Sequence, residues 1–291
     1  MSEHNDTRFL YLLIECQYDD KTGFYLSCLA QNDGIDESRQ KIEERLKLEG
    51  INKCILAEVG VVDSSEIDMN KYEPYNTDNT RLGLTRHEYA SRDDYNFVNP
   101  GGVVISAHSR VDRDGLTLSY SLIKDDYATF AFEIVPDADT IESTIKIICS
   151  EIINELNFIG IYLDGNYDFK DSDYNAIWVK TGEKSGLINF LFDNKLNLLE
   201  NGFVAVELGN ENSNNRLRVT KTKELKFWTD TSDQYETLKN RLIDLGYSYN
   251  KENVSTGKDF EHFKYRKIDS FDFEKLIRFL IDNDFKEHKF E

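Results

Sequence analysis

Between Glu224 and Phe290 the chain runs strand, helix, strand, and then strand, helix, strand again. The first copy is Lys226-Phe227-Trp228, a helix from Tyr235 to Leu245, and Gly246-Tyr247-Ser248-Tyr249. The second is Phe263-Lys264-Tyr265, a helix from Phe273 to Ile281, and Phe285-Lys286-Glu287-His288. The helices match position for position, with Tyr235 against Phe273, Leu238 against Leu276, and Leu242-Ile243 against Leu280-Ile281. Apolar residues at this spacing give each helix one face to bury. Flanking strands supply a sheet for it, so the pattern predicts layers of helix on sheet.

The earlier chain carries the same grammar. Residues 1–62 read as a β-β-α-β unit, with strands from Phe9 to Gln17, Phe24 to Ala30 and Cys54 to Val62. Asp36 is placed to cap a helix that runs to Leu48, and Gly50 to end it. Residues 63–100 show no period and hold Tyr72, Tyr75, Tyr89, Tyr95 and Phe97, so they read as an irregular Tyr-rich loop or arm. Asn99-Pro100-Gly101-Gly102 is the clearest break. Residues 101–175 then read as an acidic hairpin-plus-helix unit. The hairpin joins Val103–Ser106 to Leu116–Ile123 through a turn at Asp112 to Gly115, and the helix spans Thr140 to Leu156. Residues 176–291 read as a C-terminal domain of three βαβ-like units, the added one being Ala176–Lys180, Leu187–Leu199 and Phe203–Leu208. The expected fold is therefore α+β and multi-domain, with repeated ferredoxin-like βαβ and hairpin-plus-helix units and mainly antiparallel sheets.

Charge is the strongest global signal. The chain nets −19 over 291 residues. Residues 1–175 hold 34 acidic and 16 basic side chains, whereas residues 176–291 hold 20 and 19. That change places the main expected boundary in the acidic loop 164–175. A field of this sign repels nucleic acid and anionic membrane and attracts basic partners. No run approaches the length of apolar chain that a membrane span needs, and the first residues lack a secretory core, so a cytoplasmic location is expected. The four cysteines, Cys16, Cys28, Cys54 and Cys149, form no C-x-x-C pair and read as buried free thiols.

Catalytic and cofactor motifs are fragmentary. Thr181-Gly182-Glu183-Lys184-Ser185-Gly186 sits where a phosphate loop would, but Glu183 precedes the lysine and the earlier glycine is missing. Asp112-x-Asp114-Gly115 starts like a calcium loop, yet Ile123 stands at the twelfth position. No cofactor is expected. His87 and His108 lie near arginines and carboxylates and would form an acid–base site only if their loops met. Arg216, Arg218, Lys221, Lys223, Lys226 and Trp228 suggest a modest basic sheet face, without the Gly-aromatic pattern of an RNA-binding sheet.

The sequence thus points to a non-enzymatic acidic binding protein of inhibitor or immunity type. Its partner would be another protein, basic or nucleic-acid-binding, and not nucleic acid itself. The expected contact patch is Asp164, Tyr167, Asp168, Asp171, Asp173 and Tyr174, where aromatics bury area and acids steer association. The alternatives are a hydrolase or nuclease using His87 and His108, and a self-assembling protein that forms a homo-oligomer through edge strands.

Overall fold

A computed structural model describes residues 8–18, 22–31, 34–74, 80–89, 97–106, 116–165, 167 and 173–290. The architecture is mixed α+β with mainly antiparallel sheets and, among the described residues, seven α-helices. The chain forms two compact units. One comprises Met1–Asn96, Val104–Asp112 and Phe260–Phe263, and the other Phe97–Val103, Arg113–Asp259 and Lys264–Glu291.

In the first unit, β1 (Arg8–Gln17), β2 (Gly23–Ala30), β3 (Lys53–Asp63), β4 (Tyr72–Pro74) and β5 (Arg81–Tyr89) form a sheet of order β3-β1-β2-β5-β4. Helix α1 (Ile35–Leu48) buries Ile35, Ser38, Ile42 and Leu46, a spacing that follows the helical repeat. Gly34 takes the cap position expected of Asp36, and its carbonyl accepts from the Ser38 N–H at 3.0 Å. Asp36 lies in the first turn instead, where a negative charge favours the helix dipole. Gly50 closes the helix at φ +85°, a conformation that costs glycine little.

Part of the stretch 63–100 differs from the expected irregular loop. β5 is nine residues long and pairs antiparallel with β2. Between Arg81 and Glu88 only Leu82 is buried, so there was no apolar alternation to read. The backbone ladder to β2 makes it a strand. Tyr75 and Tyr95 lie outside the described residues, and Phe97 is buried.

The strand β6 (Val103–Ile105) pairs with β15 (His262–Lys264) and not with the segment from Leu116 to Ile123 as the expected hairpin required. The turn proposed at Asp112 to Gly115 lies outside the described residues.

The second unit holds a nine-stranded sheet. Its strands are β7 (Ser119–Ile123), β8 (Phe130–Val135), β9 (Phe158–Asp164), β10 (Asn175–Thr181), β11 (Ala205–Gly209), β12 (Arg216–Val219), β13 (Leu225–Thr229), β14 (Ser248–Tyr249) and β16 (Lys286–Lys289). The order is β14-β7-β8-β13-β12-β11-β9-β10-β16, and only the β14–β7 pair is parallel. The helices are α2 (Ile141–Ile147), continued by one wider turn to Ile152, then α3 (Lys184–Asp193), α4 (Lys195–Leu198), α5 (Ser232–Asp244), α6 (Thr256–Asp259) and α7 (Phe273–Asp282). The helix expected to reach Leu156 stops early because Ile153 turns extended. The helix expected from Leu187 to Leu199 is split at Asn194.

This sheet runs through the boundary expected at 164–175. β9 and β10 pair with each other there, Asp164 opposite Asn175, so segments on either side of 164–175 share one sheet and one core. A change of surface charge does not interrupt a backbone ladder. The two C-terminal repeats are also placed differently, with β14 at one end of the sheet, β16 at the other, and β15 outside it.

Strand alternation sorts the side chains. Phe132, Phe227, Leu217, Val206, Ile161 and Trp178 pack with Ile145, Leu187, Leu238 and Leu276 of α2, α3, α5 and α7 in one hydrophobic core. The intervening residues, among them Glu133, Lys226, Trp228, Arg216, Arg218, Glu207 and Tyr162, lie on the other face. Two glycine breaks of the sequence meet in this unit. Tyr265 N–H donates to Gly102 O, and Gly202 N–H donates to Tyr265 O, both at 2.9 Å. A Cβ on Gly202 would lie 1.9 Å from Gly102 O, so no side chain fits between these strands of backbone.

Candidate functional site

The helix-poor face of the nine-stranded sheet holds a cleft of about 420 Å³ lined by Tyr127, Glu207, Asn214, Arg216, Arg218 and Trp228. Register builds it. Arg218 stands opposite Glu207 on one side and Lys226 on the other, and Arg216 stands opposite Trp228. Successive odd or even positions of three strands thus present charge and one indole to the same face.

Glu207 is the anchor. It lies between Val206 and Leu208 and is 2% exposed. Its Oε2 accepts from Arg218 Nε at 2.8 Å, from Arg218 Nη2 at 2.5 Å and from the Tyr162 hydroxyl at 3.1 Å. Arg216 Nη1 adds a longer bond to Oε1 at 3.3 Å. A buried carboxylate needs such pairing, because its desolvation is otherwise costly.

The two arginines differ in their engagement. The Arg218 guanidinium lies 4.6 Å from the Tyr162 ring centre and 5.6 Å from that of Trp228, and it also donates to the Tyr162 hydroxyl at 3.0 Å. Burial opposes its charge, but Glu207 and Tyr162 outweigh that and raise its pKa. Burial, followed by the Glu207 charge, pushes the Tyr162 phenol up to about 12. Arg216 makes the single bond to Glu207, rests over the Phe158 ring at 5.5 Å, and leaves its Nε without a hydrogen-bond partner. Its side chain is 40% exposed.

The rim is held by two aspartates. Trp228 Nε1 donates to Asp125 Oδ2 at 2.7 Å, and this bond, with the Tyr127 N–H, holds the Asp125 carboxyl below its usual range. Asp230 accepts from the Thr129 N–H at 2.7 Å and from Asn214 Nδ2 at 2.8 Å, which lowers its pKa likewise.

Of the residues singled out in the acidic loop, Asp164, Tyr167, Asp173 and Tyr174 are described. Asp164 pairs with Lys221. Tyr167 is 1% exposed, donates to Phe271 O at 2.7 Å, accepts from Asn201 Nδ2 at 2.7 Å, and packs on Phe203 and Phe273. Its ring is core and not surface. Tyr174 is half-buried, edge-on to Phe273, and bridges Trp178 and Glu287 by its hydroxyl; burial first raises its pKa to about 12. Asp173 is exposed, and Asp168 and Asp171 lie outside the described residues.

The remaining candidates resolve individually. Lys184 donates to the carbonyls of Ser150 and Ile153 at 2.9 and 2.6 Å, so it closes the turn after α2. His87 is exposed on β5, and His108 lies outside the described residues. Among the described residues no group of three His, Cys, Asp or Glu side chains is arranged to hold a metal ion. Among them, too, no helix is long and apolar enough to cross a membrane. The cysteines are free; Cys16 and Cys54 face each other across β1 and β3, and a hydrogen bond from Cys16 lowers the Cys54 pKa.

Arg216, Arg218, Lys226 and Trp228 were legible as a sheet face. Glu207 and Tyr162 were not singled out, although a lone glutamate within Ala205-Val206-Glu207-Leu208 was a signal. Lys223 was also missed as a buried group. It is 1% exposed, donates to Asn201 O at 2.7 Å and Val204 O at 3.2 Å, and burial lowers its pKa to about 7. Comparison of the chain with family models, curated proteins and solved structures finds no match.

Proposed function

We propose that this is a binding protein that works through the cleft on the open face of its nine-stranded sheet. The observation that carries the reading is the fixed Glu207–Arg218–Tyr162 network beneath an accessible Arg216 and Trp228. The volume of the cleft is that of a small-ligand site, with aromatic surface from Trp228 and Tyr127 and fixed polar groups that would orient a ligand. Glu207, the one carboxylate of the lining among the described residues, has its oxygens occupied by Arg216, Arg218 and Tyr162, which suits recognition better than proton transfer.

The two tryptophans make a direct test. Trp228 lines the cleft, whereas Trp178 belongs to the helix-side core of the same unit. With 5-fluorotryptophan incorporated, a general fragment collection should move the Trp228 fluorine signal and leave that of Trp178 in place. Fragments that bind the protein yet never move the Trp228 signal would end this reading.

The net charge of −19 supports a second reading, in which the acidic surface docks on a basic or nucleic-acid-binding protein. Capture from the native host at low salt, with release at high salt, is the expected result. Retention that is indifferent to salt would remove charge as the steering force.

A further inference from the structure

Resting on the cleft as the binding site, we infer that its ligand is a small aromatic acid, a planar ring bearing a single carboxylate. Among the described residues the lining carries two arginines and one glutamate, so the floor holds one positive charge in excess, with the carboxylates of Asp125 and Asp230 at the rim. Arg218 is the more committed of the two. Its Nε and Nη2 donate to Glu207 and Tyr162, and its guanidinium lies near the rings of Tyr162 and Trp228. Arg216 is the deliverable cation. Its hold on Glu207 is one 3.3 Å bond, against the three bonds that Arg218 donates to Glu207 and Tyr162, while the two side chains are almost equally exposed. A ligand carboxylate would take two N–H groups side by side from the exposed end of this guanidinium. Glu207 would lose little, because Arg218 and Tyr162 still hold it.

The remainder of the lining selects what the acid is attached to. Trp228 and the exposed Tyr127 give aromatic surface, and Asn214 a polar edge. Rings stack on such walls better than aliphatic chains of the same bulk. The rim sets the charge limit. Asp125 is bonded to Trp228 and Asp230 to Asn214, so a second negative charge on the ligand would face two carboxylates. Polyphosphates and nucleic acids are disfavoured on the same ground.

Four probes test this by titration calorimetry and the Trp228 fluorine signal: 2-naphthoate, its neutral amide, 2,6-naphthalenedicarboxylate and cyclohexanecarboxylate. The naphthoate should bind, and each of the other three at least about tenfold more weakly, the loss expected for one charge-assisted contact or one stacked ring. Arg216→Gln should erase the preference for acid over amide while leaving ring binding measurable. Equal affinity of acid and amide, or tighter binding of the dicarboxylate, overturns the inference and leaves the cleft standing as the site. If none of the four moves the Trp228 signal, the aromatic-acid inference fails, and the general fragment collection decides separately whether the cleft binds anything. The ligand comparisons need no variant, so the outcome does not depend on Arg216→Gln folding.

Discussion

Replacing Lys223 by methionine should abolish a large pH dependence of stability. Lys223 is 1% exposed in the turn between β12 and β13, where its ammonium has lost water and gained two carbonyls. Burial lowers its pKa from 10.5 to about 7. The unfolded chain therefore binds one more proton than the folded chain between those values. The penalty is fully present below pH 7, and stability rises as pH increases from about 7 to 10.5. At roughly 1.4 kcal/mol per unit, the gain between pH 7 and pH 10 is about 3–4 kcal/mol. Methionine has nothing to titrate. It leaves the Asn201 and Val204 carbonyls short of a donor, at about 1–3 kcal/mol, independent of pH. Urea unfolding at intervals from pH 6.5 to pH 10 measures both terms. The difference between the two proteins should shift steadily toward the wild type as pH rises. Other groups titrate equally in both and cancel. Parallel curves would mean that Lys223 stays charged in the folded protein, and the account of its burial would be wrong.

Two further substitutions separate structure from recognition. Arg218→Met should cost about 3 kcal/mol in chemical denaturation, because it strips a buried carboxylate of its main partner, while Arg216→Met should cost only about 1 kcal/mol, because it removes one long bond and leaves Arg218 and Tyr162 on Glu207; equal losses would refute the division of roles between them. Tyr167→Phe should lose about 1–3 kcal/mol by removing the hydroxyl between Asn201 and Phe271, and unchanged urea stability would show that this hydroxyl is not bonded in the core.

Elements whose apolar spacing is local were legible in the chain. Helix α7 shows Leu276 and Leu280 at the spacing that buries them, and β1 and β2 carry the apolar runs that pair Leu12 with Cys28. The strand β5 was hidden, because its partner and not its own pattern makes it a strand. Tyr167 was misleading for a related reason. An aromatic among acids reads as exposed, and only the fold brings Phe203, Phe271 and Phe273 around it. At the cleft, Arg216, Arg218 and Trp228 could be seen as one strand face, whereas the carboxylate that fixes them comes from β11 and the phenol from β9.

By itself the sequence determined the α+β class, the net negative charge and the positions of most helices and strands. These depend on residue type and on spacing within a few turns or strands. Tertiary structure alone decided that residues on either side of 164–175 share one sheet, that Lys223 is buried with a pKa of about 7, and that Glu207, Arg216, Arg218 and Trp228 line one cleft. The physical reason is that strand order and burial are set by contacts between distant segments, and the electrostatics of a side chain follow from what those contacts leave around it.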